Sequence, residues 1–139
     1  MSSFVLDNSV SIAWCFEEQA TEYSRAILQA MIDGATAFVP AIWRLEVVNS
    51  LVVAERRKKL SPEKSARFLR DLQRFKISDD TDGQAHVFDT VAEQARRYRR
   101  SAYDASYLEL AKRLDLPLAT KDEPLSKAAT ELGVPIFQP

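Results

Sequence analysis

Four carboxylates in this 139-residue chain stand where α/β proteins carry out chemistry. Asp7 follows the apolar run Ser3-Phe4-Val5-Leu6, and Asp122 follows the segment LPLATK at 116–121. Both fall just beyond the carboxyl ends of expected strands, where ligands of open α/β sheets collect. Asp104, in SAYDASYLELA, opens an expected helix. Each aspartate alone also has a plainer reading, as a helix cap. Glu46 resists that reading. At about 100° per residue it and Asn49 share a side with Ile42, Leu45, Val52 and Val53, so a helix over 41–58 would turn a carboxylate toward apolar neighbours. Burying it unpaired is costly, and positions 42, 43, 49 and 50 hold Ile, Trp, Asn and Ser in place of a lysine. The alternative is a carboxylate that reaches the rim or a distant arginine.

Two carboxylates about 4 Å apart repel by roughly 4 kcal/mol at an effective dielectric near 20. Several of them converge only if a cation or a proton compensates. Oxygen ligands without histidine or thiolate favour Mg²⁺ or Mn²⁺. Such a cation activates water and stabilises in-line displacement at phosphorus, so metal-dependent phosphodiester hydrolysis is the expectation. Rival nucleophiles are poorly served. Ser9 lies in no G-x-S-x-G turn, and the chain has a single histidine, His86, to which no role is assigned. Cys15, between Trp14 and Phe16, reads as a small hydrophobe. A phosphoacceptor receiver domain would need a pair of acids after the first strand, whereas Asp7 stands alone there.

The elements that must position these groups can be read from apolar runs and breakers. Strands are expected at 3–6, 37–39, 75–78, 116–119 and 134–137. Helices are expected at 9–16, 21–33 stopped by Gly34, 40–58, from Ser61-Pro62 onward, 83–99, 104–114, and 124–132 stopped by Gly133. Short strands, apolar on both faces and separated by helices, predict a parallel sheet covered on both sides. The fold class is therefore α/β: one three-layer domain over 1–139 with four to five short strands. Trp43 and Tyr107 are expected to pack in the core or a subunit interface, while Trp14, Tyr98 and Tyr103 could stack bases.

The net charge of −1 argues against a strongly basic nucleic-acid coat, yet the charge is segregated. Residues 1–24 contain no Lys or Arg, whereas 55–76 carry nine, among them Arg56, Arg57, Lys58 and Lys59. Arg96, Arg97, Arg99 and Arg100 form a second basic group. These groups are either solvated surface or phosphate contacts. One cysteine suits a reducing compartment, no apolar run reaches membrane-spanning length, and MSSFVLD lacks the features of a secretory signal. A cytoplasmic protein is expected.

The ordered set VLDNSV, WRLEVVNSL, YDASYLELA and LATKDEPL resembles the PIN-domain ribonucleases, in particular the small VapC-type toxins of toxin–antitoxin pairs, over essentially the whole chain. The resemblance implies an endoribonuclease whose acids Asp7, Glu46, Asp104 and Asp122 form an Mg²⁺ or Mn²⁺ site, with Ser9 and Thr120 beside it and Asn49 one turn beyond Glu46. One carboxylate would orient the attacking water, and one or two metal ions would serve. Arg56, Arg57, Lys58, Lys59, Arg96 and Arg97 would hold RNA phosphates. The resemblance also implies a homodimer and a small VapB-type antitoxin that covers the acidic pocket. A PIN-like module that binds RNA or protein without cleaving is the alternative.

Overall fold

The strands β1 (Ser3–Leu6), β2 (Thr36–Val39), β3 (Lys76–Asp79) and β4 (Leu118–Ala119) form one parallel sheet in the order β3-β2-β1-β4, as seen in a computed structural model that describes residues 2–139. In register, Val5 faces Phe38 on one side and Leu118 on the other. β2 and β3 pair from Thr36 with Lys76 through Val39 with Asp79. Phe4, Val5, Leu6, Leu118 and Ala119 have no exposed surface, as strands covered on both faces require.

The helices are α1 (Asn8–Ala13), α2 (Glu22–Ile32), α3 (Trp43–Arg56), α4 (Pro62–Leu72), α5 (Ala92–Tyr98), α6 (Ala102–Leu114) and α7 (Glu123–Leu132). From β1 the chain steps outward through β2 to β3, then returns past β1 to β4. Right-handed crossovers therefore put α1 to α4 on one face and α5 and α6 on the other. The strand order reverses between β1 and β4, which creates a crevice at their carboxyl ends.

Local chemistry explains most helix ends. Thr21 and Ser24 form a reciprocal capping box at α2, and Ser61 caps α4 with Pro62 in its first turn. Trp43, buried in α3, donates its indole N–H to Ser11 Oγ of α1 at 3.1 Å. On the other face, Arg113 of α6 reaches both oxygens of Asp80 at 3.1 and 2.7 Å and Glu109 at 2.7 Å, which locks the end of β3 onto α6.

Three expectations need correction. The helix expected over 83–99 is a 3₁₀ turn (Gly83–His86), a π turn (Val87–Val91) and only then α5. Asp89 takes the backbone N–H of Thr90, diverting a donor that a continuous helix would use, whereas Asp80 accepts the otherwise free N–H of Gly83 at the start of the segment. The strand expected at 134–137 is a lone bridge between Ile136 and Leu118. Leu118 N–H donates to Pro135 O at 2.9 Å and Phe137 N–H donates to Leu118 O at 2.8 Å, but Pro135 has no N–H to extend the ladder further. The Phe137 ring stacks on Phe4 at 4.2 Å. Finally, α3 buries Trp43, Val47, Leu51 and Ala54, while Leu45 is 67% exposed. The side of Glu46 and Asn49 is thus not the core face.

Candidate active site

β1 ends at Leu6, and the next residue, Asp7, sits in the crevice between β1 and β4 with 6% of its surface exposed. Its backbone N–H continues the ladder to Ala119 O at 3.0 Å, which holds the residue in place. Its Oδ2 accepts two hydroxyl protons, from Ser9 Oγ at 2.6 Å and from Thr120 Oγ1 at 2.8 Å. Each hydroxyl in turn accepts a backbone N–H: Lys121 to Ser9 at 2.9 Å and Asp122 to Thr120 at 3.0 Å. The chain of donors polarises toward the carboxylate. Burial pushes the Asp7 carboxyl above its ordinary range and the charge of Asp122 adds to the rise, while the Ser9 and Thr120 hydroxyls oppose it.

Glu46, half-buried in the first turn of α3, accepts the phenol proton of the buried Tyr107 on Oε1 at 2.5 Å. Burial raises its carboxyl too. The hydrogen bond from Tyr107 opposes the shift, and the charges of Asp7 and Asp104 reinforce it. Asp104 lies in the first turn of α6, whose cap is Ser101: Ser101 Oγ takes the Asp104 N–H at 3.0 Å. The Asp104 carboxylate is therefore not spent on capping. Burial raises it, Asp7 and Asp122 push it further, and Arg100 pulls the other way.

Asp122 does cap a helix, with Oδ1 accepting the Leu125 N–H of α7 at 2.9 Å. Asp7 holds the cap position of α1 without a capping hydrogen bond.

Four acids on four separate segments thus lie in one another's electrostatic field. Among the described residues none of the four is in an ion pair. Nor do any three acidic, histidine or cysteine side chains among these residues stand close enough to enclose a cation by themselves. An open, oxygen-only donor set of this kind fits Mg²⁺ or Mn²⁺ held through one or two carboxylates and several waters. It does not fit a closed tetrahedral site.

The remaining expected residues separate. Asn49 is exposed and shares a shallow cleft with Glu46, Ile42, Leu45 and Tyr103. The hydrogen bonds near it belong to Ser50, whose Oγ accepts from Asn8 Nδ2 at 3.1 Å and donates to the Glu46 carbonyl at 3.0 Å. Arg56, Arg57, Lys58 and Lys59 are exposed at the far end of α3. With about 1.5 Å of rise per residue, Arg57 lies roughly 16 Å along the axis from Glu46. Arg96 and Arg97 are exposed on the last turn of α5, which leads through Arg100 to Asp104.

Tyr107 is the residue whose contact with the site the sequence did not reveal. The available signal was its position three residues after Asp104, on the same helical face. Exposed apolar side chains border this site: Leu45 and Tyr103 share the cleft of Glu46, and Val87 shares a neighbouring cleft with Tyr103.

A family model described as the PIN domain matches residues 4–131. The fold is similar to that of PAE2754 from Pyrobaculum aerophilum, with a TM-score of 0.68 and 19% identity over 94% of this chain and 92% of that one. It is also similar to FitAcB from Neisseria gonorrhoeae, with a TM-score of 0.65 and 20% identity over 97% and 96% of the two chains. No curated protein matches the sequence.

Proposed function

Because the chain belongs to the PIN domain family, we propose that it is a metal-dependent endoribonuclease, the toxin of a toxin–antitoxin pair. The observation that carries this reading is a half-buried to buried set of four carboxylates, at the strand-order reversal, that share a field without a cationic partner among the described residues. Asp7, Glu46, Asp104 and Asp122 would hold Mg²⁺ or Mn²⁺ directly or through water. The bound cation would make water nucleophilic near neutral pH and neutralise charge developing at phosphorus.

The chain's own residues do the rest. Ser9 and Thr120 oppose the upward shift of Asp7 and hold it in one orientation through two hydroxyl protons. Asn49 would meet substrate from the rim beside Glu46. One of the carboxylates orients the water that attacks phosphorus as the ester bond to the leaving oxygen breaks. Arg96 and Arg97, near Asp104, would hold phosphates close to the cut, and Arg56, Arg57, Lys58 and Lys59 phosphates further along the strand.

In this reading the protein is cytoplasmic and homodimeric, and a small VapB-type antitoxin covers the acidic pocket. The exposed Leu45 and Tyr103 beside Glu46, and Val87 next to Tyr103, supply apolar surface for such protein contacts. No helix among the described residues is long and apolar enough to cross a membrane.

The test is cleavage of purified cellular RNA by the full chain with Mg²⁺ or Mn²⁺, with EDTA and Asp104→Asn in parallel. Discrete fragments that vanish in both controls are expected. No cleavage together with no binding of Mn²⁺ would replace the reading with a non-catalytic binding module.

A further inference from the structure

We propose that Tyr107 is a positioning residue that fixes which oxygen of Glu46 faces the carboxylate crevice. The inference rests on reading the four acids as a divalent-cation site. A core position with no exposed surface, as Tyr107 has, is filled by phenylalanine without need of a polar partner. A phenol placed there must find one, since burying an unpaired hydroxyl is costly. Its partner is a carboxylate on a different element, 61 positions away: Tyr107 Oη donates to Glu46 Oε1. Hydrogen bonds to ionised acceptors are about twice as strong as neutral ones.

The geometry makes the contact selective. A phenol has one proton, so it engages one carboxylate oxygen and leaves Oε2 to a cation or water. Glutamate has three side-chain torsions and sits here in the first turn of α3, half exposed, where nothing else among its hydrogen-bonding neighbours holds the carboxylate.

Tyr107 is anchored by its helix. It follows Asp104 by three residues, so one face of α6 delivers both the Asp104 carboxylate and the phenol. A single rigid, buried side chain thus references Glu46 to the helix of Asp104.

The experiment is a double-mutant cycle of Tyr107→Phe and Glu46→Ala in the full chain. Its primary readout is Mn²⁺ binding alone, by paramagnetic resonance or calorimetry, at a temperature where all four proteins are folded. Partners that orient a ligand typically contribute roughly 10–100-fold in metal affinity or activity. Tyr107→Phe should weaken Mn²⁺ binding by about that factor, lower kcat and leave KM for RNA unchanged. In the Glu46→Ala background it should change nothing further. Unaltered Mn²⁺ affinity in Tyr107→Phe overturns the proposal, and so does an equal loss in both backgrounds, which would mean that Tyr107 acts elsewhere. The underlying metal reading is judged separately by Asp7→Asn and Glu46→Ala. If neither variant weakens Mn²⁺ binding, the cation site itself is wrong.

Discussion

Thr120 Oγ1 gives its proton to Asp7 Oδ2 at 2.8 Å, across 113 positions of sequence and across the point where the strand order reverses. The bond joins the carboxyl ends of β1 and β4 at the one place where both strands deliver polar groups. Thr120→Val keeps the shape but removes the proton for Asp7 and the acceptor for the Asp122 N–H. Leaving buried polar groups unpaired costs about 1–3 kcal/mol each. A lower unfolding midpoint is therefore expected, with cleavage moved to higher pH because Asp7 loses a group that opposes its upward shift. A pH–rate profile and a melting curve identical to those of the natural protein would dismiss the network as incidental.

Glu46→Gln should raise the stability of metal-free protein. Burial, Asp7 and Asp104 raise the Glu46 carboxyl, so its ionisation burdens the fold. A group raised on folding contributes stability below its unfolded pKa, and that contribution is lost as pH rises through the folded value. The advantage of Glu46→Gln should therefore be absent near pH 4 and grow toward pH 7. Relief on the order of 1 kcal/mol corresponds to a midpoint higher by roughly 2–8 °C. Paired melting curves over this pH range check it, and an advantage that is constant with pH would point to packing in place of charge.

Asp104→Asn should abolish cleavage and leave the fold intact, since Ser101 and not Asp104 caps α6. A cation present at about 100 times its Kd stabilises the folded state by roughly 2.7 kcal/mol. Saturating Mn²⁺ should accordingly raise the melting midpoint of the natural protein, and EDTA should reverse the rise. The variant should respond less. Equal responses would remove Asp104 from the cation site.

The two basic groups should separate by length of RNA. Arg96→Glu with Arg97→Glu lies beside the Asp104 helix and should weaken cleavage of short and long RNAs alike. Arg56→Glu with Arg57→Glu, at the far end of α3, should weaken only the long ones. Both should flatten the salt dependence of long-RNA binding. Affinities measured against salt with two RNA lengths decide this, and an effect of the Arg56 and Arg57 pair on short RNA would redraw the path.

The placement of Asp7 and Asp122 beyond strand ends was legible because short apolar runs followed by Asp leave few other arrangements. Glu46 faces the crevice from beside the core stripe of α3, not from the apolar side that its sequence neighbours suggest. A helix with apolar residues around much of its circumference does not announce its core side, and the inward stripe is Trp43, Val47, Leu51 and Ala54. The break-up of 83–99 is not legible in the sequence because it turns on Asp89 capturing the neighbouring Thr90 amide. At 134–137 the expected strand buries only Val134 and Phe137, and Pro135, exposed and without an N–H, limits it to a lone bridge. Tyr107 looked like a core aromatic, and by burial it is one. Its hydroxyl contact joins residues 61 apart, and no local pattern encodes that.

The crossing from β3 back past β1 to β4 also sets a timetable. During synthesis Asp7 and Glu46 leave the ribosome well before β4, Thr120 and Asp122. A nascent chain can pair β1 with β2 and β3 and still have no second wall for the crevice and no Thr120 proton for Asp7. The four acids meet only when β4 docks on the free edge of β1. A polypeptide cut short before Leu118 would lack the β4 wall of the crevice and the Thr120 hydroxyl for Asp7, however well its first half folds.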